Sequence, residues 1–161
     1  MNTVVKSSDC EVPQTLASFL EGKQLYSVPP HLFAKMADTK TPQGILCTCA
    51  LPTAPPLPDG GLFLYCDRVR DPGNVGSIIR TADAMGLDGV MLSPESVDPY
   101  NPKLVRSTIG SLFHVQLFTA VSTEMLADLK QRGFSIAVSA LTGIIIPKPG
   151  SLYLKLSNEV I

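Results

Sequence analysis

From residue 62 onward, short apolar runs alternate with helical patterns, and this alternation limits the folds open to the chain more than any other feature. Leu62 to Cys66 is apolar throughout, and Gly89 to Ser93, His114 to Phe118, Phe134 to Ala140 and Leu152 to Leu156 are mainly apolar strand candidates. Between them lie helical stretches: Val75 to about Met85, a short one opened by Asn101-Pro102 and running to Thr108, and one capped by Ser122 that stops before Gly133. Strands apolar on both faces and separated by helices predict an α/β fold, a mainly parallel sheet with helices on both faces.

Ahead of this pattern, four prolines fall between Pro52 and Pro58. They fix φ and remove backbone donors, so residues 52–61 read as an extended linker. Residues 1–51 form the first part, with helices expected from Gln14 to Glu21 and His31 to Met36 and a strand from Gly44 to Ala50. About 50 residues make a meagre independent core, so this reads as part of a small α/β domain. Residues 62–161 are the second part.

Composition narrows the function classes. Apolar residues make up 45% and charged residues 17% of the 161, which argues for a packed core and against disorder. The formal charge is −1, whereas nucleic-acid binders usually carry a basic excess. Local charge can compensate: Arg68, Arg70, Arg80, Lys103 and Arg106 gather between residues 67 and 107, among six acids. Cys10, Cys47, Cys49 and Cys66 lack metal-ligand spacing, so buried free thiols are expected and no metal. No apolar run approaches 18 residues and Met1 to Val12 lacks a signal core, so the expectation is a cytoplasmic protein with no membrane partner.

The chemistry gathers in the loop Asp67 to Gly76, which leaves the carboxyl end of the first strand of the second part, where open α/β sheets bind ligands. Asn74 reads as the cap of the next helix, between Gly73 and Gly76. Arg80, less than two turns further on, is placed to reach back and grip a phosphate. Ile78, Ala82 and Met85 are the expected core face. An N-capped helix with a solvent-facing arginine is the plainer reading of each residue alone. Neither a dinucleotide fingerprint nor a phosphate-loop motif is present.

Asp71-Pro72-x-Asn74-x-Gly76-x-x-x-Arg80-Thr81-Ala82-x-Ala84, within Asp67 to Leu92, resembles the first motif of the SpoU/TrmH family of RNA ribose 2′-O-methyltransferases, in the SPOUT α/β-knot superfamily. Lys103 to His114 is similar to the stretch that joins the family's motifs. Leu32 to Leu46 is similar to the end of the substrate-binding domain in ribosomal-RNA members. The resemblance implies a knotted α/β domain, S-adenosylmethionine as cofactor, RNA as partner (ribosomal RNA ahead of transfer RNA) and a homodimer. It also implies catalytic roles for Asn74, Arg80 and Glu159, with Arg80 on the RNA. Ser139, Ala140, Leu141 and Ser157 fall where members contact the cofactor, although an ordinary strand end explains Ser139 to Leu141 equally well. Arg106 is a candidate for the RNA backbone or a plain solvent-facing arginine. His114 reads as a buried or edge histidine, and Glu95 and Asp98 lack the framing of an acid–base pair.

The chain also departs from the family pattern. Ser157-Asn158-Glu159-Val160-Ile161 matches the second motif only in part, with Ser157 at a usual glycine. The third motif is absent, Ser151-Leu152 being a poor look-alike, and Gln116 replaces a common proline. The expectation drawn from this is a truncated member with an incomplete knot, an incomplete cofactor pocket and weak S-adenosylmethionine binding. Three function classes stay open: an RNA methyltransferase, a catalytically inactive RNA-binding or dimerisation fragment, and a nucleotide-binding α/β protein.

Overall fold

In a computed structural model the protein is described over residues 3–138 and, by its backbone path, over 152–157. It forms two compact units, residues 1–53 and 54–161, which meet in sequence inside the proline-rich stretch.

The first unit is a three-stranded mixed sheet. Strand β1 (Thr3–Ser7) lies at its centre, parallel to β2 (Gln24–Val28) and antiparallel to β3 (Ile45–Thr48). Helices α1 (Gln14–Leu20) and α2 (Pro30–Met36) agree with expectation; α2 buries Phe33, whereas α1 buries nothing. The sequence reading missed β1 and β2. In β1 only Val4 and Val5 are apolar, and β2 is exposed along most of its length, so neither shows a clear period. Cys47 and Cys49 are exposed, correcting the expectation of buried thiols there. The reason is position: β3 is an edge strand whose second half is exposed, and Cys49 lies just past its end.

The second unit is a five-stranded, all-parallel sheet. Its elements in chain order are β4 (Phe63–Asp67), α3 (Pro72–Ala84), β5 (Gly89–Leu92), α4 (Pro102–Ser107), a single 3-10 turn (Ser111–Phe113), β6 (Gln116–Phe118), α5 (Thr123–Gln131), β7 (Ser135–Val138) and β8 (Leu152–Ser157). The spatial order is β6-β5-β4-β8-β7. The chain thus winds outward from β4 through β5 to β6, crosses to β7 at the far edge, and returns with β8 beside β4. Strand β8 is therefore interior and paired on both sides, not an exposed apolar edge.

Alternate residues of each strand feed two cores, as the strand period of two requires. Cys66, Val90 and Leu92 pack with Val75, Ile79 and Ala82 of α3 and Leu104 of α4. Phe63, Tyr65, Met91 and Phe118 point the other way, to Leu129 of α5 and Phe134. Both faces of the sheet are thus covered, and the doubly covered parallel architecture read from the sequence is present. Phe63 sits edge-on to Phe118 with centroids 5.6 Å apart, and the buried Tyr65 hydroxyl donates to the Val121 carbonyl at 3.1 Å. The α3 core face is Val75, Gly76, Ile79 and Ala82. Ile78 is only half-buried and Met85 is 70% exposed. Met85 comes just after the helix, so it does not continue the buried stripe. His114 lies between the 3-10 turn and β6, exposed, because the strand begins only at Gln116. Any threading of a knot would involve residues 139–151 and 158–161, which lie outside the described residues.

Candidate functional site

The carboxyl ends of the parallel strands lie together on one side of the second unit, and the change of winding direction falls between β4 and β8. Open α/β sheets bind ligands in the crevice at such a switch point. Asp67, at the end of β4, pairs in register with Ser157 at the end of β8.

From Asp67 the chain turns through Arg68, whose φ of 54° puts a non-glycine residue in the left-handed region. The next loop holds that turn in place. The Arg68 amide donates to Ser93 Oγ at 2.8 Å, Ser96 Oγ donates to the Cys66 carbonyl at 3.1 Å, and the two serine hydroxyls lie 3.0 Å apart. The Val97 amide then donates to the Val69 carbonyl at 3.1 Å. The Arg68 guanidinium also lies 3.4 Å from the Asp67 carboxylate. The segment carrying the motif is therefore fixed by neighbouring backbone and by the hydroxyls of the buried Ser93 and the half-buried Ser96.

Asp71 caps α3, its carboxylate accepting from the Asn74 amide at 2.8 Å, and Pro72 takes the first helical position. This corrects the expected cap: Asn74 is already inside the helix. Its side chain is exposed and makes no hydrogen bond among the described residues. Asp71 takes the cap instead, because Pro72 in the first helical position starts the helix ahead of Asn74.

Gly76 shows why the motif needs glycine there. A Cβ at this position would lie 1.8 Å from Ser107 Oγ and 2.7 Å from Ser107 Cβ. Ser107 ends α4, and its hydroxyl is shared between the Leu104 carbonyl at 2.7 Å and the Pro72 carbonyl at 3.1 Å. The missing side chain lets α4 seat against the first turn of α3. Arg106, the residue before this contact, is exposed in the last turn of α4, where a cation complements the helix dipole.

Arg80 is exposed on α3 and lines an open groove of about 430 Å³ with Ser77, Thr81, Asp83, Ala84 and Ser111. It forms no ion pair among the described residues. Six residues separate it from Asn74, about 9 Å along the axis, and no hydrogen bond joins the two. The sequence reading missed Asp83, Ser111 and His114. His114 Nδ1 lies 3.3 Å from the Asp83 carboxylate, and Ser111 lines the same groove. Ser111 foremost, and then His114, hold the Asp83 carboxyl below its ordinary value. Thirty-one positions separate Asp83 from His114, so no local pattern links them.

Glu159, Ser139, Ala140 and Leu141 lie outside the described residues, and Ser157 is placed only by its backbone. Ser157 ends β8 beside the end of β4, and Val138 ends β7 on the far side of β8. No group of three or more histidine, cysteine or acidic side chains suited to a metal ion occurs among the described residues.

A doubly covered parallel sheet with a capped helix leaving its switch point defines a class of α/β domain. Residues 61–155 match the SpoU rRNA Methylase family, more than half of the chain, and the protein belongs to that family. The chain is 33% identical to the 23S rRNA (guanosine(2553)-2′-O)-methyltransferase of Bacillus subtilis over 160 residues, 97% of this chain and 63% of that protein. It is 48% identical over 58 residues to the 23S rRNA (uridine(2479)-2′-O)-methyltransferase of Streptomyces viridochromogenes, covering 36% of this chain and 20% of that one. Among solved structures, the AdoMet-bound rRNA methyltransferase of Sinorhizobium meliloti superposes with a TM-score of 0.75 at 29% identity, over 98% of this chain and 64% of that one. The chain thus spans less than two thirds of the length of the Bacillus and Sinorhizobium relatives. Among the described residues, no helix is long and apolar enough to cross a membrane.

Proposed function

We propose that the protein is an RNA methyltransferase that methylates ribose 2′-hydroxyls, on ribosomal RNA ahead of transfer RNA, as a cytoplasmic homodimer with S-adenosylmethionine as cofactor. The observation that carries this reading is Arg80: an exposed guanidinium in an open polar groove, on a helix whose start is fixed by Asp71, Pro72 and the Gly76–Ser107 contact. The names of the relatives support the substrate, each being a 23S rRNA 2′-O-methyltransferase.

S-adenosylmethionine, when bound, supplies an electrophilic methyl group. Arg80 grips a phosphate of the RNA and so sets the position of the neighbouring ribose. An arginine keeps its charge at ordinary pH and is a poor general base. Its contribution is to stabilise negative charge developing on the 2′-oxygen as the hydroxyl proton passes to water. Asn74 and Glu159 orient the guanidinium and the hydroxyl. Arg106, at the end of α4, adds a second contact to the RNA backbone. Ser157 and the segment Ser139 to Leu141 take the cofactor side.

The test is transfer of labelled methyl groups from S-adenosylmethionine to ribosomal RNA, read as alkali-resistant 2′-O-methyl nucleotides. Arg80→Ala should lower transfer by about a hundredfold or more with an unchanged unfolding transition, since Arg80 is exposed. Normal transfer by that variant sinks the assigned role. RNA binding through Arg80 with no transfer by the unaltered chain favours a binding or dimerisation module instead.

A further inference from the structure

Arg80 and Asp83 stand three residues apart on α3, where opposite charges are neighbours on the helix surface. Helical side chains lean toward the N-terminus, so the Asp83 carboxylate tends to lie over the turn that carries Arg80. Such a pair can close as an intrahelical ion pair. It is not what the structure contains. Arg80 has no ion pair among the described residues, while the Asp83 carboxylate lies 3.3 Å from His114 Nδ1 and shares its groove with Ser111, which favours its ionised form. A carboxylate can only accept, so in this arrangement Nδ1 carries the proton. Ser111 opens the 3-10 turn and His114 follows it, and this turn packs against α3.

We propose that Ser111 and His114 are positioning residues for Arg80: they draw the Asp83 carboxylate away, leaving the guanidinium open to an RNA phosphate. The inference rests on the reading that Arg80 takes that phosphate. An Arg80–Asp83 pair would neutralise the cation that binds, and a carboxylate beside the phosphate would repel it. Ser111 and His114 favour the ionised carboxyl, so the charge persists and is managed by placement. Asp83, Ser111 and Arg80 line the same groove, so the device acts within the site.

The test uses the full chain and a fluorescein-labelled oligouridylate at low ionic strength. The combined variant Ser111→Ala/His114→Ala should bind about twofold more weakly, the size of an intrahelical ion pair regained. Adding Asp83→Asn should restore the original affinity. In an Arg80→Ala background the combined variant should change nothing. A loss that survives Asp83→Asn overturns the proposal, because the turn would then be supporting structure rather than managing charge. So does an absence of loss where Arg80→Ala alone weakens binding. If Arg80→Ala leaves affinity unchanged, the phosphate reading itself falls, and the positioning role with it.

Discussion

Gly76→Ala sets two opposing effects against each other. Helix propensity favours alanine by about 1 kcal/mol, so on an exposed helix the substitution would stabilise. At this position the new methyl would lie 1.8 Å from Ser107 Oγ, 2.7 Å from Ser107 Cβ and 3.2 Å from the Ser107 carbonyl carbon. Rotating the hydroxyl away relieves the first contact and forfeits its bonds to the Pro72 and Leu104 carbonyls, about 1 kcal/mol. No rotation relieves the second contact, so α3 and α4 must separate, at an overpacking cost of about 1–3 kcal/mol. The net is destabilisation by about 1–3 kcal/mol, a fall of about 1 M in the urea midpoint, followed by circular dichroism. Ser107→Gly removes the Oγ and Cβ contacts at a helix cost of about 1 kcal/mol. The double variant should therefore be more stable than the sum of the singles by about 1–2 kcal/mol. Stabilisation by Gly76→Ala, or simple additivity with Ser107→Gly, refutes the close approach of the two helices.

Further outcomes follow from the same geometry. Asp71→Ala should lower stability by about 1 kcal/mol through loss of the cap on the Asn74 amide, visible in the same urea titration. Asp83 has a folded carboxyl below its ordinary value of 3.8, so its contribution is complete above that pH. It is lost as pH falls through the lower folded value; Asp83→Asn should therefore flatten the acid limb of stability below pH 3.8, and an unchanged limb refutes the bonding. Burial pushes the Cys66 thiol up to about 12, whereas Cys47 and Cys49 are exposed. Iodoacetamide followed by mass mapping should modify Cys47 and Cys49 in the native protein and Cys66 only after denaturation. Tyr65→Phe should cost about 1–3 kcal/mol by orphaning the buried Val121 carbonyl; a neutral result means water reaches it.

The strands and helices of residues 62–138 were legible because each is an apolar run or a helical period bounded by glycine, proline or a capping residue. That pattern forces a parallel sheet buried on both faces. The motif from Asp71 to Ala84 was legible for the same local reason: a cap, a proline, a glycine and an arginine within four turns of chain. Strands β1 and β2 were not, since Val4 and Val5 acquire meaning only when β2 and β3 pair on either side. The identity of the cap was misread: Asp71 and Asn74 are both good capping residues, and Pro72 in the first helical position selects Asp71. What the sequence by itself determined is the layer architecture and the helix that carries Arg80, because burial period and backbone restrictions are local. What only the tertiary structure decided is what surrounds that arginine. The Ser107 hydroxyl under Gly76, the serines holding Arg68, and the Ser111–His114 grip on Asp83 join residues about 25 to 35 positions apart, and such contacts exist only once the sheet has brought its loops together.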